Sequence, residues 1–223
     1  ERGDLAGANA VLDRTARECR EHGDEFDDGL ARVLNTWGLT LAADGDHEAA
    51  IERMREALRI MAYRFGEGHA SIAQVRTNLG RSYQQLGRFA DARDQLRRAL
   101  ETWNRLDNTR RAAQCVLFLA RVADQGGELD VAEERYAEAI ERYGRDDETD
   151  PGLVHQALLV LGEVQERAGR LDAARESLAR AAEDLEGSPY WSAKLQARAR
   201  AGLERIARRS AKPPPDQPPS RNR

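Results

Sequence analysis

Cysteine is nearly absent from the chain: Cys19 and Cys115 are the only two in 223 residues, far apart and outside any cluster with zinc-ligand spacing. This argues against a disulfide framework or a structural zinc site, and a reducing, cytoplasmic setting is expected. Long apolar runs are missing too. None approaches the roughly 18 to 20 residues that span a bilayer, and the opening Glu1-Arg2-Gly3-Asp4 is unlike a signal peptide. There is no excess of one charge sign, since 35 basic and 39 acidic residues leave a formal −4. Neither nucleic acid nor a membrane is therefore an expected partner. Aromatic residues make up only 5%. What is abundant is charge, mostly Arg and Glu spread along the whole chain, which is the composition of solvated amphipathic helices.

Signatures of catalysis are lacking as well. The sequence has no glycine-rich phosphate loop, no Gly-x-Ser-x-Gly elbow and no His-Glu-x2-His pair, so no catalytic residue, cofactor or metal is expected. Cys19-x2-His22 supplies two metal ligands at most. His47 stands where the corresponding segments have Leu5, Phe89, Leu129 and Leu171, which predicts a half-buried packing role. His69 and His155 fall near predicted helix starts, where capping or exposure is expected. The basic run Arg198, Arg200, Arg205, Arg208 and Arg209 lies near a helix carboxyl end, where cations complement the dipole.

Self-similarity is the strongest signal present. Gly3, Gly45, Gly87, Gly127 and Gly169 recur at spacings of 42, 42, 40 and 42, each followed five residues later by Ala. Small residues fall at Gly38, Ala50 and Ala57, at Gly80, Ala92 and Ala99, at Ala120, Ala132 and Ala139, and at Gly162, Ala174 and Ala181, with the same steps of 12 and 7 each time. A large apolar residue precedes the first of each set (Trp37, Leu79, Leu119, Leu161), and another stands four residues after the second (Met54, Leu96, Tyr136, Leu178). Small residues let two helices cross closely while large ones fill the flanks, so each set predicts a helix pair. The glycines between the helices end the first one, because Gly enters the left-handed conformation cheaply. Asp44, Asp46, Asp91, Asp130 and Asp172 cluster at or near the starts of the second helices, suiting the positive end of the dipole. Arg93, beside Ala92, is placed on the solvent side.

With Asn78-Leu79-Gly80-Arg81-Ser82-Tyr83 followed by Ala92, Leu96 and Ala99, the pattern resembles the tetratricopeptide repeat. Tyr83 is replaced by Leu41, Ala123 and Gln165 in the other repeats, and the period is near 42 residues. Together with Arg64-Phe65-Gly66-Glu67-Gly68-His69, this longer repeat resembles the kinesin-light-chain subtype. The resemblance implies an all-α fold, a right-handed alpha-alpha superhelix of antiparallel helix hairpins. The expected division is a second helix of an incomplete repeat at 1–22, repeats at 23–66, 67–108, 109–150 and 151–187, a capping helix at 188–209 and a disordered Pro-rich tail at 210–223. Ser188-Pro189 is the expected start of the last helix, and Trp191, Leu195, Leu203 and Ile206 are expected to cover the stack.

The resemblance also implies that first helices line a concave groove for a protein or extended peptide. The candidates there are Arg32, Asn35, Thr36, Gln74, Thr77, Asn78, Arg81, Gln85, Gln114, Phe118, Arg121, Gln125 and Glu163. Asn78 matches the Asn that contacts a bound main chain in kinesin-light-chain-like arrays. A chaperone-type carboxylate clamp is not expected, because Leu39, Gln114 and Phe118 stand where it has Asn, Lys and Arg. Similar arrays commonly form the carboxyl-terminal part of serine/threonine kinases, signal-transduction ATPases and transcription regulators. The expected role is thus the interaction or sensory module of a larger bacterial signalling protein, a kinase being favoured, with a structural self-association array as the alternative. Leu5, Ala8 and Leu12 hold core places without a preceding first helix, so weak homo-oligomer formation through the amino-terminal end is expected.

Overall fold

The computed structural model describes residues 2–21, 28–146, 148–183 and 192–210. Among the described residues there are ten α-helices and no strand. They are α1 (Arg2–Glu21), α2 (Asp28–Asp44), α3 (His47–Phe65), α4 (Ala70–Gln85), α5 (Phe89–Arg105), α6 (Thr109–Gln125), α7 (Leu129–Gly144), α8 (Pro151–Arg167), α9 (Leu171–Ala181) and α10 (Ala193–Ser210). The chain divides into two compact units, Glu1–Asp147 with α1 to α7 and Glu148–Arg223 with α8 to α10. His22, the Ser188-Pro189 pair, Trp191 and the Pro-rich segment from Ala211 onward lie outside the described residues.

Each hairpin turns on one repeated piece of backbone. In α4–α5, Gly87 N–H donates to the Gln84 carbonyl at 3.0 Å and Arg88 N–H to the Tyr83 carbonyl at 2.9 Å. Gly87 sits at φ +69°, so the pair of bonds closes a Schellman motif. Gly127 with Glu128, Gly169 with Arg170 and Gly45 with Asp46 make the same bonds. The residue after the glycine holds the cap position of the next helix: Asp46 accepts from Ala49 N–H at 3.0 Å, whereas Arg88, Glu128 and Arg170 hold the same place without a side-chain capping bond. Asp91, Asp130 and Asp172 lie in first turns as expected, whereas Asp44 is the last residue of α2. Gly3, in register with the junction glycines, lies inside α1.

The helices of a hairpin meet at the small residues. A Cβ added to Gly80 would fall 2.6 Å from Leu96 Cγ and 3.3 Å from the Ala92 carbonyl oxygen. At Gly38 it would meet Met54 Cγ at 2.7 Å, and at Gly162 it would meet Leu178 Cγ at 2.6 Å. Backbone-to-side-chain approach this close explains the 12-residue step and the large residue four places beyond it. Trp37, Leu79, Leu119 and Leu161 are all buried beside these crossings. Leu30, Leu34, Ile60, Ile72 and Tyr83 join the same core in the first unit.

Several polar positions differ from expectation. Arg93 is half-buried and donates to Glu128 Oε1 at 2.6 Å, tying α5 to the α6–α7 junction, so it is no bystander on the solvent side. His69 does cap α4, accepting from Ser71 N–H through Nδ1 at 3.2 Å while its ring stacks on Phe65. His155 is neither a cap nor exposed. It is buried one turn into α8, with Nδ1 3.0 Å from the Pro151 carbonyl, and Asp150 caps that helix instead. Gln165, which replaces the repeat's tyrosine, is buried and accepts a bond from Ser177 Oγ at 2.8 Å.

In the second unit α8 and α9 form a hairpin, and α10 packs on α9 and α8. Ala199, Gly202 and Ile206 are its buried residues. Leu178 is flanked by two glycines, because a Cβ at Gly202 would fall 2.8 Å from its Cδ1. The basic run is largely paired: Arg198 donates to Glu163 at 2.6 Å, Arg205 to Glu166 at 2.9 Å and Arg208 to Glu204 at 3.2 Å.

Candidate functional site

Because α2, α4 and α6 occupy the same place in successive hairpins, they run as neighbours in the first unit. Their small residues face their own second helices, which leaves another face of each helix to border a shared groove. Two adjoining hollows of about 380 Å³ each lie along it and share Leu39, Asn78, Arg81 and Phe118. One extends to Gln85 and Arg121, and the other to Asn35, Gln74, Thr77 and Gln114.

The predicted residues divide accordingly. Nine of them line the hollows: Asn35, Gln74, Thr77, Asn78, Arg81, Gln85, Gln114, Phe118 and Arg121. Arg32, Thr36 and Gln125 do not line either hollow; Arg32 and Thr36 are exposed on α2, and Gln125 accepts a bond from Gln84 Nε2 at 3.2 Å. Glu163 belongs to the second unit and accepts from Arg198. Thr77 is only 3% exposed, and its hydroxyl donates to the Ala73 carbonyl at 2.8 Å, so its polar group is already used inside α4. His47, half-buried at the start of α3, and Arg111 also border the hollows and were not among the predicted residues. Arg111 lies one turn before Gln114 in α6, a spacing that could have flagged it.

An amide row crosses the helices. Gln74 Nε2 donates to Asn78 Oδ1 at 3.2 Å, and Asn78 Nδ2 donates to Asn35 Oδ1 at 3.4 Å on the neighbouring helix. Each amide keeps a second hydrogen or lone pair free of these bonds, which suits a peptide main chain. Beyond the row, Phe118 carries two cations: the Arg81 guanidinium lies 5.2 Å and that of Arg121 5.6 Å from the ring centre. Arg81 has its pKa held below the ordinary guanidinium value, first by desolvation and then by the like charge of Arg121. Among the described residues no carboxylate pairs with either arginine, and no Asp or Glu lines either hollow. Leu39, 40% exposed, gives the shared part of the two hollows an apolar surface.

Two family models described as tetratricopeptide repeat match the sequence, one over residues 29–105 and 71–145 and the other over 119–189. The chain belongs to the tetratricopeptide repeat (TPR) family. Its fold is an all-α TPR solenoid, and arrays of this class are in general non-catalytic scaffolds for protein–protein interaction. BtubC (BKLC) from P. vanneervenii is similar in fold, with a TM-score of 0.73 at 24% identity over 98% of this chain and 80% of that one. So is a structure of nearly identical TPR-like repeats of kinesin-light-chain type from Podosopora anserina, with a TM-score of 0.69 at 16% identity over 81% and 86% of the two chains. The apo form of RapI gives 0.71 at 15% identity over 93% and 79%. At these identities the likeness is one of fold. No curated protein sequence matches it. Among the described residues no helix is long and apolar enough to cross a membrane.

Proposed function

We propose that this TPR array binds an extended segment of a partner protein in the groove along α2, α4 and α6. The observation that supports the reading most is the amide row from Asn35 through Asn78 to Gln74, set beside the paired Arg81 and Arg121 on Phe118. Amides of both polarities suit a main chain, and the cations suit acidic side chains of the segment. The test is fluorescence anisotropy with labelled peptide pools. Asn78→Ala combined with Arg81→Ala is expected to weaken binding at least about tenfold while helicity is kept, and binding should fall with added salt because exposed charges are screened. Binding that ignores both changes would place the partner elsewhere on the array.

Service within a larger signalling protein such as a serine/threonine kinase is part of the proposal, and the sequence encoded upstream of Glu1 tests it. A kinase domain there supports it, and an unrelated domain refutes it. A further part is weak self-association through α1, favoured by Val11, which is 64% exposed.

A further inference from the structure

The arginines of this TPR array mostly meet carboxylates. Arg93 reaches Glu128 from the next hairpin, Arg20 reaches Glu56, and Arg135 and Arg142 share Glu138. Among the described residues, Arg81 and Arg121 belong to the arginines without such a partner, and they share one ring. Arg55 and Arg88 likewise share Tyr83, but there Arg88 is paired with Asp91. Arg81 and Arg121 follow the small crossing residues Gly80 and Ala120 directly, so the repeat places them at matching points of neighbouring first helices. Both lie over the same phenyl ring, and among the described residues no Asp or Glu lines the hollows beside them.

Two like charges brought to one aromatic ring repel each other, and that repulsion is part of what depresses the Arg81 pKa. A single carboxylate satisfies one guanidinium fork and leaves the other charge uncompensated. A phosphate monoester carries about −1.5 to −2 charge at neutral pH and three acceptor oxygens, enough for both forks at once. Gln85, exposed at the same hollow, is neutral and offers a further donor.

We propose that the Arg81–Phe118–Arg121 corner of the groove receives a phosphorylated side chain of the bound segment. This rests on the peptide-groove reading and narrows it: the amide row holds the main chain, and the arginine pair reads a phosphate.

Anisotropy with three labelled nine-residue pools tests it, each degenerate except at the centre, which holds phosphoserine or phosphothreonine, unmodified serine or threonine, or Glu-Glu. The probed proteins are the full chain, Arg81→Gln with Arg121→Gln, and Arg81→Lys with Arg121→Lys, each checked for helicity. The phosphorylated pool is expected to bind at least about tenfold more tightly than either other pool. The Gln pair should abolish that preference, bringing the phosphorylated pool down to the level of the unmodified pool, whose own binding weakens with the loss of the two cations. The Lys pair should retain only part of it, because an ammonium lacks the fork. Equal binding of all three pools to the full chain would overturn the phosphate assignment and leave the groove reading standing. Displacement by inorganic phosphate as effective as by the phosphopeptide itself would likewise overturn it, since the segment would add nothing. Binding of every pool unaffected by these variants and by Asn78→Ala would overturn both.

Discussion

Gly80 and Gly87 stand seven residues apart and are required for different reasons. At Gly80 space is the constraint: the position is helical, and a Cβ would fall 2.6 Å from the fully buried Leu96. At Gly87 nothing lies within 4 Å of an added Cβ, but φ is +69°. Overpacking costs about 1 to 3 kcal/mol, set against about 1 kcal/mol gained when Ala replaces Gly in a helix. The left-handed conformation costs a non-glycine about 1 to 2 kcal/mol, least for Asn. Gly80→Leu and Ala92→Leu are therefore expected to lower the thermal midpoint by several degrees, at roughly 2 to 4 °C per kcal/mol for a chain of this size. Gly87→Asn should be nearly tolerated, and exposed Arg97→Leu should change little. Similar losses from Gly87→Asn and Gly80→Asn would remove the distinction.

A second prediction at this scale concerns alkaline pH. Burial pushes the Cys115 thiol up to about 11, against the hydrogen bond with Thr77 and the charge of Arg111. The folded pKa exceeds the unfolded one, so the folded state keeps its proton longer. The associated stability is full below about pH 9 and is lost as pH rises towards 11, a change of order 2 to 3 kcal/mol. Tyr143, pushed up to about 12 chiefly by burial, adds a further loss that begins near pH 10. Urea midpoints measured from pH 7 to 10.5 should fall less steeply for Cys115→Ala than for the parent. Parallel curves would show that the thiol contributes nothing.

Among the elements, the turns and crossings were legible in the sequence because each depends on a few residues at fixed spacing. A junction glycine ends one helix, the next helix starts two residues later, and the small residue lies 12 positions before its partner. Positions whose role depends on a neighbouring hairpin were harder to read. Arg93 lies beside Ala92, and nothing local shows that Glu128 will come within 2.6 Å. Asp107 joins two repeats at φ +51° and makes the Schellman bonds with Asn108, although a glycine stands at every junction within a hairpin. Aspartate tolerates that conformation better than most residues, so the turn survives without the expected signature. Gly202 was readable and missed. It continues the spacing, 40 residues after Gly162, and its absent side chain lets α10 settle against Leu178.

At the scale of the whole molecule the groove was only partly legible. Resemblance selects the first helices, and the repeat register then selects Asn78, Arg81 and Arg121. Which side chains remain available depends on packing between helices, as with the internally bonded Thr77 hydroxyl or Glu163 paired with Arg198. The same limit applies to the outer surface of α1. Leu12 packs against the core, so a charge there would damage the fold rather than report on association. The exposed residues are Ala6, Gly7, Ala10 and Val11, while the carboxyl half of α1 carries the Arg14–Glu18 and Arg17–Asp13 pairs. Covering a fully exposed valine contributes about 1.5 to 3 kcal/mol, so two copies of Val11, each 64% exposed, supply about 2 to 4 kcal/mol, and the small neighbours add little. That at most reaches the roughly 4 kcal/mol of a millimolar complex, before the cost of lost rotation and translation. Self-association through this face should therefore be no tighter than millimolar. Light scattering over a concentration series should give the monomer mass at micromolar concentration and a rise only near the millimolar range, which Val11→Glu removes without loss of helicity. A dimer already present at micromolar concentration would exceed what this surface can supply, and a rise that survives Val11→Glu would move the contact to another face.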